Sequence, residues 1–192
     1  TIFMKKYPRV LDLLLVAVKP EYQSKGLPAI MMYQLTRMCV ENNVKISIGF
    51  LMRFHGYHQK IKEIIAEGKI GEIVSMRGQF TCWYPEIPGN WRQNKALSGG
   101  GALMDMGIHC IDLLQYISGL EAVECTGYAQ NQTFNYSADD SANVIMKMSN
   151  GALAYVDVNF NIQLFNRIEV MVDDLPRAHI FAVNCGGCNH IH

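Results

Sequence analysis

Four segments rich in β-formers follow one another at residues 123–130, 141–148, 152–161 and 167–172, and Ser149-Asn150-Gly151 separates the second from the third. Asn-Gly between such runs supplies the backbone freedom that a tight hairpin demands. The stretch is therefore expected to fold as an antiparallel meander, and a sheet with one apolar face needs helices to cover it. Two candidate helices precede it. Residues 57–67 repeat apolar positions at Ile61, Ile64 and Ile65 and end on Gly68 and Gly71, while residues 102–117 offer Leu103, Ile108, Leu113, Leu114 and Ile117 before Gly119. Residues 73–83, between the helices, read as one long strand. The expected fold class is α+β, with a mostly antiparallel, open-faced sheet carrying helices on one face.

The first 51 residues read differently. An apolar run at 10–18, bounded by Pro8 and Pro20, predicts a buried strand. Ile30, Met31, Leu35, Met38 and Cys39 recur at helical spacing within residues 29–42 and predict a core-facing helix, and residues 46–51 predict a second short strand. Apolar residues make up 49% of the 192, enough to bury a core without disulfides. The 17 basic and 17 acidic side chains cancel, which leaves no footprint for nucleic acid or an anionic membrane and points to a small-molecule or protein partner. Four of the six cysteines stand alone inside structured segments, as buried thiols of a reducing compartment do, so the expected location is the cytoplasm. No apolar run reaches the ~18 residues of a membrane span. The first residues lack a signal peptide and an initiator methionine, so the chain is expected to be a fragment of something longer.

Chemistry concentrates at the start of the second helix, in Ser98-Gly99-Gly100-Gly101-Ala-Leu-Met-Asp105-Met-Gly-Ile-His109-Cys-Ile-Asp112. Steps of four and seven residues nearly complete whole helical turns, so Asp105, His109 and Asp112 are expected within roughly 60° of one another. A carboxylate one turn from an imidazole can orient it for proton transfer near neutral pH. The glycines are expected to leave helix N-terminal amides exposed for an anion or polar ligand. Trp91, Arg92 and Lys95 add an aromatic plate and two cations upstream. Trp83, Tyr84 and Asp139-Asp140 read as strand end and loop.

The compound string from Trp91-Arg92 through Lys95, Gly99-Gly100-Gly101, Asp105 and His109 to Asp112 resembles the signature of the Gfo/Idh/MocA oxidoreductases. With Arg53-Phe54, Gly68-Lys69-Ile70-Gly71 and Asn150-Gly151, the resemblance runs from about residue 46 to 162. It implies an NAD(P)-dependent dehydrogenase of a sugar, inositol or related polyol, with NAD or NADP as cofactor. It also implies a substrate domain whose free sheet face often serves oligomer contacts. Asp105 would bind substrate hydroxyls, His109 would act in proton transfer, and Arg53, Trp91, Arg92 and Lys95 would be further substrate contacts. Complete members begin with a Rossmann domain carrying Gly-x-Gly-x-x-Gly, which is missing here, so the cofactor site is expected to be incomplete. The family's Glu-Lys-Pro has its nearest equivalent in Val18-Lys19-Pro20, without the glutamate, which makes Lys19 the third catalytic candidate.

Residues 1–44 are similar instead to the acetyl-CoA segment of GNAT acyltransferases, through Gln23, Gly26 and the helix that follows, although Pro28 removes one amide donor. The expected organisation is thus a partial α/β segment at 1–45, in place of a whole nucleotide domain, a substrate domain at 46–172 and an irregular tail at 173–192. The tail's Cys185, Cys188, His190 and His192 are zinc-ligand types, but a lone pair of cysteines at a chain end reads as a tail, not a metal site. Two further readings stand beside the dehydrogenase: a non-catalytic sugar-binding or dimerisation module, and an acyltransferase remnant.

Overall fold

A computed structural model describes residues 2–7, 10–16, 18, 20–22, 25–47, 49–68, 70–173 and 183–184. The chain forms two compact units, Thr1–Gly49 and Phe50–His192.

In the first unit, β1 (Ile2–Tyr7) and β2 (Val10–Val16) form an antiparallel hairpin with Ile2 opposite Val16 and Tyr7 opposite Val10. Helix α1 (Leu27–Glu41) follows, opening at Gly26 with a proline in its first turn, where a missing N–H costs no helical bond. Three sequence expectations change here. Residues 2–7 pair as a strand that the sequence pattern did not announce. The strand expected at 46–51 does not form: Val44 and Ile46 are exposed, and residues 51–54 wind into a 3-10 turn closed by the Arg53 N–H on the Phe50 carbonyl. A β-rich run gains little without a neighbouring ladder, and the local turn satisfies its amides instead. On α1, Met31, Leu35 and Cys39 are half-buried, but Ile30 and Met38 are exposed, so the helix is not the core element its spacing predicted.

The second unit runs α2 (Gly56–Ala66), β3 (Ile73–Trp83), α3 (Lys95–Ser98), a π-helical turn at Leu103–Gly107 leading into α4 (Ile108–Ser118), β4 (Ala122–Gln130), β5 (Ser141–Met148), β6 (Leu153–Asn159), β7 (Asn161–Val172) and β8 (Val183–Asn184). The sheet order is β4-β5-β6-β3-β7-β8, antiparallel throughout except for the β3–β6 pair. The Asn-Gly hairpin forms as expected, with the Met148 N–H on the Ala152 carbonyl at 2.8 Å and φ of 89° at Gly151. Strand β7 begins at residue 161, earlier than expected at 167, because its first half pairs with the end of β3 through Thr81–Phe165 and Trp83–Asn161. Within the expected tail, Val183–Asn184 pairs with β7. The zinc-ligand types at 185–192 lie outside the described residues.

One sheet face is apolar. Met76, Val156, Val158, Ile168 and Val170 meet Leu113, Leu114 and Ile117 of α4 in a single buried cluster. A Cβ at Gly78 would stand 3.3 Å from the Cys110 Cβ and 3.4 Å from Leu114 Cδ1, which shows how closely α4 lies on β3. The other face is polar and open. Cross-strand register aligns Thr126, Ile145, Tyr155, Arg77 and Glu169 in one row, and Tyr128, Asn143, Asp157, Gln79 and Arg167 in the next. Glu169 accepts ion pairs from Arg77 and Arg167, and Gln79 Nε2 donates to Asp157 at 2.7 Å.

Candidate functional site

Two asparagines shape the approach to α4. Asn90 Oδ1 accepts the Arg92 N–H at 3.0 Å and Asn94 Oδ1 accepts the Ala96 N–H at 3.0 Å, each side chain replacing a helical carbonyl at the start of a short turn. Trp91 and Arg92 are thereby held on the exposed rim. Between them and α3 the buried Gln93 fastens the loop: its Oε1 accepts from the Ile87 N–H, its Nε2 donates to the Pro85 carbonyl, and its own carbonyl accepts from the Ala138 N–H.

The glycine-rich entrance is filled by this chain itself. Asp139 Oδ1 accepts the Gly101 N–H at 2.7 Å, its Oδ2 the Leu103 N–H at 2.9 Å, and its backbone carbonyl the Ala102 N–H at 2.9 Å. The amides expected to lie open for an anionic ligand are therefore spent, and the aspartate read as mere loop is their occupant. A carboxylate is well suited to that place, since unpaired amides and the helix dipole make the start of a helix electropositive.

Its neighbour Asp140 organises the loop before β5 by accepting the N–H groups of Gln132, Thr133 and Phe134 and the Ser141 hydroxyl. Burial pushes the Asp140 carboxyl up, but these donors outweigh it and hold the group below the ordinary carboxylate range. A depressed folded pKa adds stability above the unfolded value of about 3.9, and that stability is lost as pH falls through the folded pKa. Asp140→Asn is accordingly expected to lower Tm near neutral pH and to flatten its fall below about pH 4. A melting series from neutral to acid pH on both proteins measures this; parallel curves would contradict it.

The π-helical turn changes the expected common face. Asp105 stands half-exposed on that turn, His109 is half-buried one turn later, and Asp112 is buried. Widening the turn shifts the angular register between 105 and 112, so only the first two residues open to the surface. Asp105 Oδ2 lies 4.0 Å from Arg92 Nη1, and the Arg92 guanidinium sits 5.6 Å from the Trp91 ring centroid. The expected Asp105–His109 bond is absent among the described residues. There the His109 ring makes no hydrogen bond, and its one ring contact is the Phe50 ring, edge-on at 5.8 Å. Arg53 turns the other way: its Nε donates to Asp112 Oδ2 at 2.8 Å and its Nη2 to Oδ1, between the rings of Phe50 and Tyr116. Its guanidinium is committed to the helix. Lys95 is exposed at the start of α3, its backbone N–H on Ser137 Oγ. Lys19 and Gln23 lie outside the described residues. Cys82, beside Asp105, is pushed up to about 11 by burial and by that carboxylate, so it stays a thiol.

Among the described residues no group of three or more His, Cys, Asp or Glu is placed to hold a metal ion, and no helix is long and apolar enough to cross a membrane.

The second unit is thus a mostly antiparallel, open-faced sheet with a helix packed on one side of it and an Asp105–His109 rim at that helix's start. The chain belongs to the Gfo/Idh/MocA family, whose C-terminal domain model matches residues 58–174. It is 33% identical over 123 residues to the uncharacterized oxidoreductase YrbE of Bacillus subtilis, covering 61% of this chain and 34% of that one. It is 24% identical over 197 residues to D-glucoside 3-dehydrogenase of Escherichia coli, covering 79% of this chain and 55% of that one. Levoglucosan dehydrogenase, solved in complex with NADH and levoglucosan, shares the fold at a TM-score of 0.59 and 22% identity, covering 75% of this chain and 48% of that one. The chain thus spans between a third and just over half of the length of these proteins.

Proposed function

We propose that this chain carries the substrate half of an NAD- or NADP-dependent dehydrogenase acting on a sugar, inositol or related polyol. The observation that carries the reading is unspent hydrogen-bonding capacity. In a neighbourhood where Gln93, Asp139, Asp112 and Arg53 are all engaged, the His109 ring has no hydrogen bond among the described residues, and Asp105 has one long contact to Arg92. A neutral imidazole offers one acceptor nitrogen and a carboxylate two acceptor oxygens, the set that a vicinal diol satisfies.

Oxidising an alcohol removes a hydroxyl proton and a carbon-bound hydride. In this reading His109 takes the proton, while Asp105 accepts the neighbouring hydroxyl and fixes which carbon is presented. Trp91 offers an apolar face to the ring C–H groups, and Arg92 and Lys95 offer donors to the remaining oxygens. The phosphate end of a dinucleotide needs free amides at a helix start. Neither the glycine-rich approach to α4 nor the start of α1 fits it, because the amides of 101–103 belong to Asp139 and α1 opens with a proline. A second copy of the chain is the partner proposed for the open sheet face.

The test is NAD(P)H formation with a panel of inositols, glycosides and free sugars, run on this chain joined to a nucleotide-binding domain of the family, with and without His109→Asn. The parent is expected to turn over at least one polyol, and the variant to lose about 10²–10⁴-fold in kcat. Equal rates would overturn the role of His109. Polyol binding by calorimetry that Asp105→Ala abolishes, without any NAD(P)H formed, would favour the non-catalytic sugar-binding module.

A further inference from the structure

Next to Trp91 lies a second concavity that the proposed chemistry touches only through that residue. It is an open cleft of about 760 Å³ between residues 86–97 and 135–137, walled by Trp91, Leu97, Tyr136, Asn94, Asn135 and Glu86. Clefts of about 300–1,000 Å³ are the size that organic ligands occupy, and a single sugar ring fills only part of such a space. Trp91 belongs both to this wall and, through the Arg92 guanidinium above its ring, to the chain of contacts that reaches Asp105. The cleft and the candidate active site therefore share Trp91.

Its walls are preorganised. The two loops are fastened to each other by the Asn135 N–H on Glu86 Oε1 at 2.8 Å, the Lys95 N–H on Ser137 Oγ at 2.9 Å and the Tyr136 hydroxyl on the Tyr84 carbonyl at 3.2 Å. Asn131 Nδ2 donates to the carbonyls of Tyr136 and Ala138 from behind. Within this frame some side-chain groups remain available. Among the described residues the Asn135 carboxamide and the Asn94 NH₂ have no partner, and Trp91 is 45% exposed. An indole face flanked by amides matches the amphipathic character of a pyranose, whose C–H face is apolar and whose rim is hydroxylated. Charge narrows the choice. One carboxylate and no lysine or arginine line the cleft, which disfavours a phosphorylated or nucleotide-linked group.

We infer that this cleft is a subsite for a second, uncharged sugar ring, so that the substrate class is a di- or oligosaccharide rather than a free monosaccharide. The inference rests on the sugar reading of the Asp105–His109 site, but its test needs no turnover. The chain has two tryptophans. Trp83→Phe leaves Trp91 as the only indole, and its fluorescence is titrated with cellobiose, maltose and glucose. At least one disaccharide is expected to bind about tenfold more tightly than glucose. That preference should collapse toward unity in Asn135→Ala, and in Trp91→Ala followed by calorimetry, with melting curves confirming that both variants fold. Equal affinity for glucose and the disaccharides, no disaccharide binding, or a preference untouched by both substitutions would overturn the inference. Disaccharide binding that Asp105→Ala and His109→Asn both leave unchanged would leave the subsite standing and remove the Asp105–His109 reading instead.

Discussion

Gly101→Ala is expected to be the most damaging glycine-to-alanine change among the described residues. A Cβ there would lie 1.9 Å from the Asp139 carbonyl oxygen and 2.8 Å from that residue's backbone carbon and nitrogen. The obstacle is backbone, so no rotamer change relieves it. The two segments must separate, and separation breaks the three hydrogen bonds by which Asp139 holds residues 101–103. Overpacking costs about 1–3 kcal/mol, and each weakened bond to a carboxylate adds about 1.5–3 kcal/mol. A loss of about 4 kcal/mol, and a fall of about 10 °C in Tm, is expected. Gly119→Ala is the control. Nothing lies within 4 Å of a Cβ there, but φ is 70°, so the backbone strain alone should cost about 1–2 kcal/mol. Urea unfolding of both variants measures the difference; equal losses would mean that crowding against Asp139 is not what fixes glycine at 101.

The second large effect concerns Arg53 and Asp112. Arg53→Met would leave the Asp112 carboxylate, whose side chain is 9% exposed, without its partner. Stranding a fully buried charge costs about 3–5 kcal/mol. The Arg53 side chain is 43% exposed, so water screens part of the loss, and about 2–3 kcal/mol is expected. Adding Asp112→Leu to that variant removes the stranded charge and should recover much of the deficit. Three variants in a denaturation cycle test this: Arg53→Met, Asp112→Leu and both together. Additive losses would show that the pair is not coupled.

Arg53 also shows how far local pattern carries. Its place after an apolar run and its match to a family motif made it a candidate substrate contact, yet its bidentate partner lies 59 residues away on α4. Nothing within a turn's reach of either residue announces that pairing. Asp139 is the same case in reverse. In sequence it is one of two acids before a strand; in the fold it occupies the helix entrance that the glycine pattern predicts to be open. Asp105 and His109, by contrast, were legible as candidates, because glycines, Trp-Arg, Asp and His fall within one short stretch. Their relation to each other was not, since a π-helical turn altered the angular spacing that a regular helix would impose.

For the fold, period and turn chemistry sufficed wherever an element answers mainly to its own residues. The Ser149-Asn150-Gly151 hairpin, the strand at 73–83, the helices at 57–67 and 102–117 and the α+β class all follow from local pattern. Tertiary structure decided what depends on a distant partner: the extension of β7 along β3, the failure of residues 46–51 to become a strand, and the parallel β3–β6 pair at the centre of the sheet. It also decided which polar groups at α4 are spent on the protein and which have no partner among the described residues. The physical reason is common to all of these. Backbone torsions and side-chain period are properties of neighbours in sequence, whereas a hydrogen bond's partner and a side chain's exposure are settled only when remote segments close on one another.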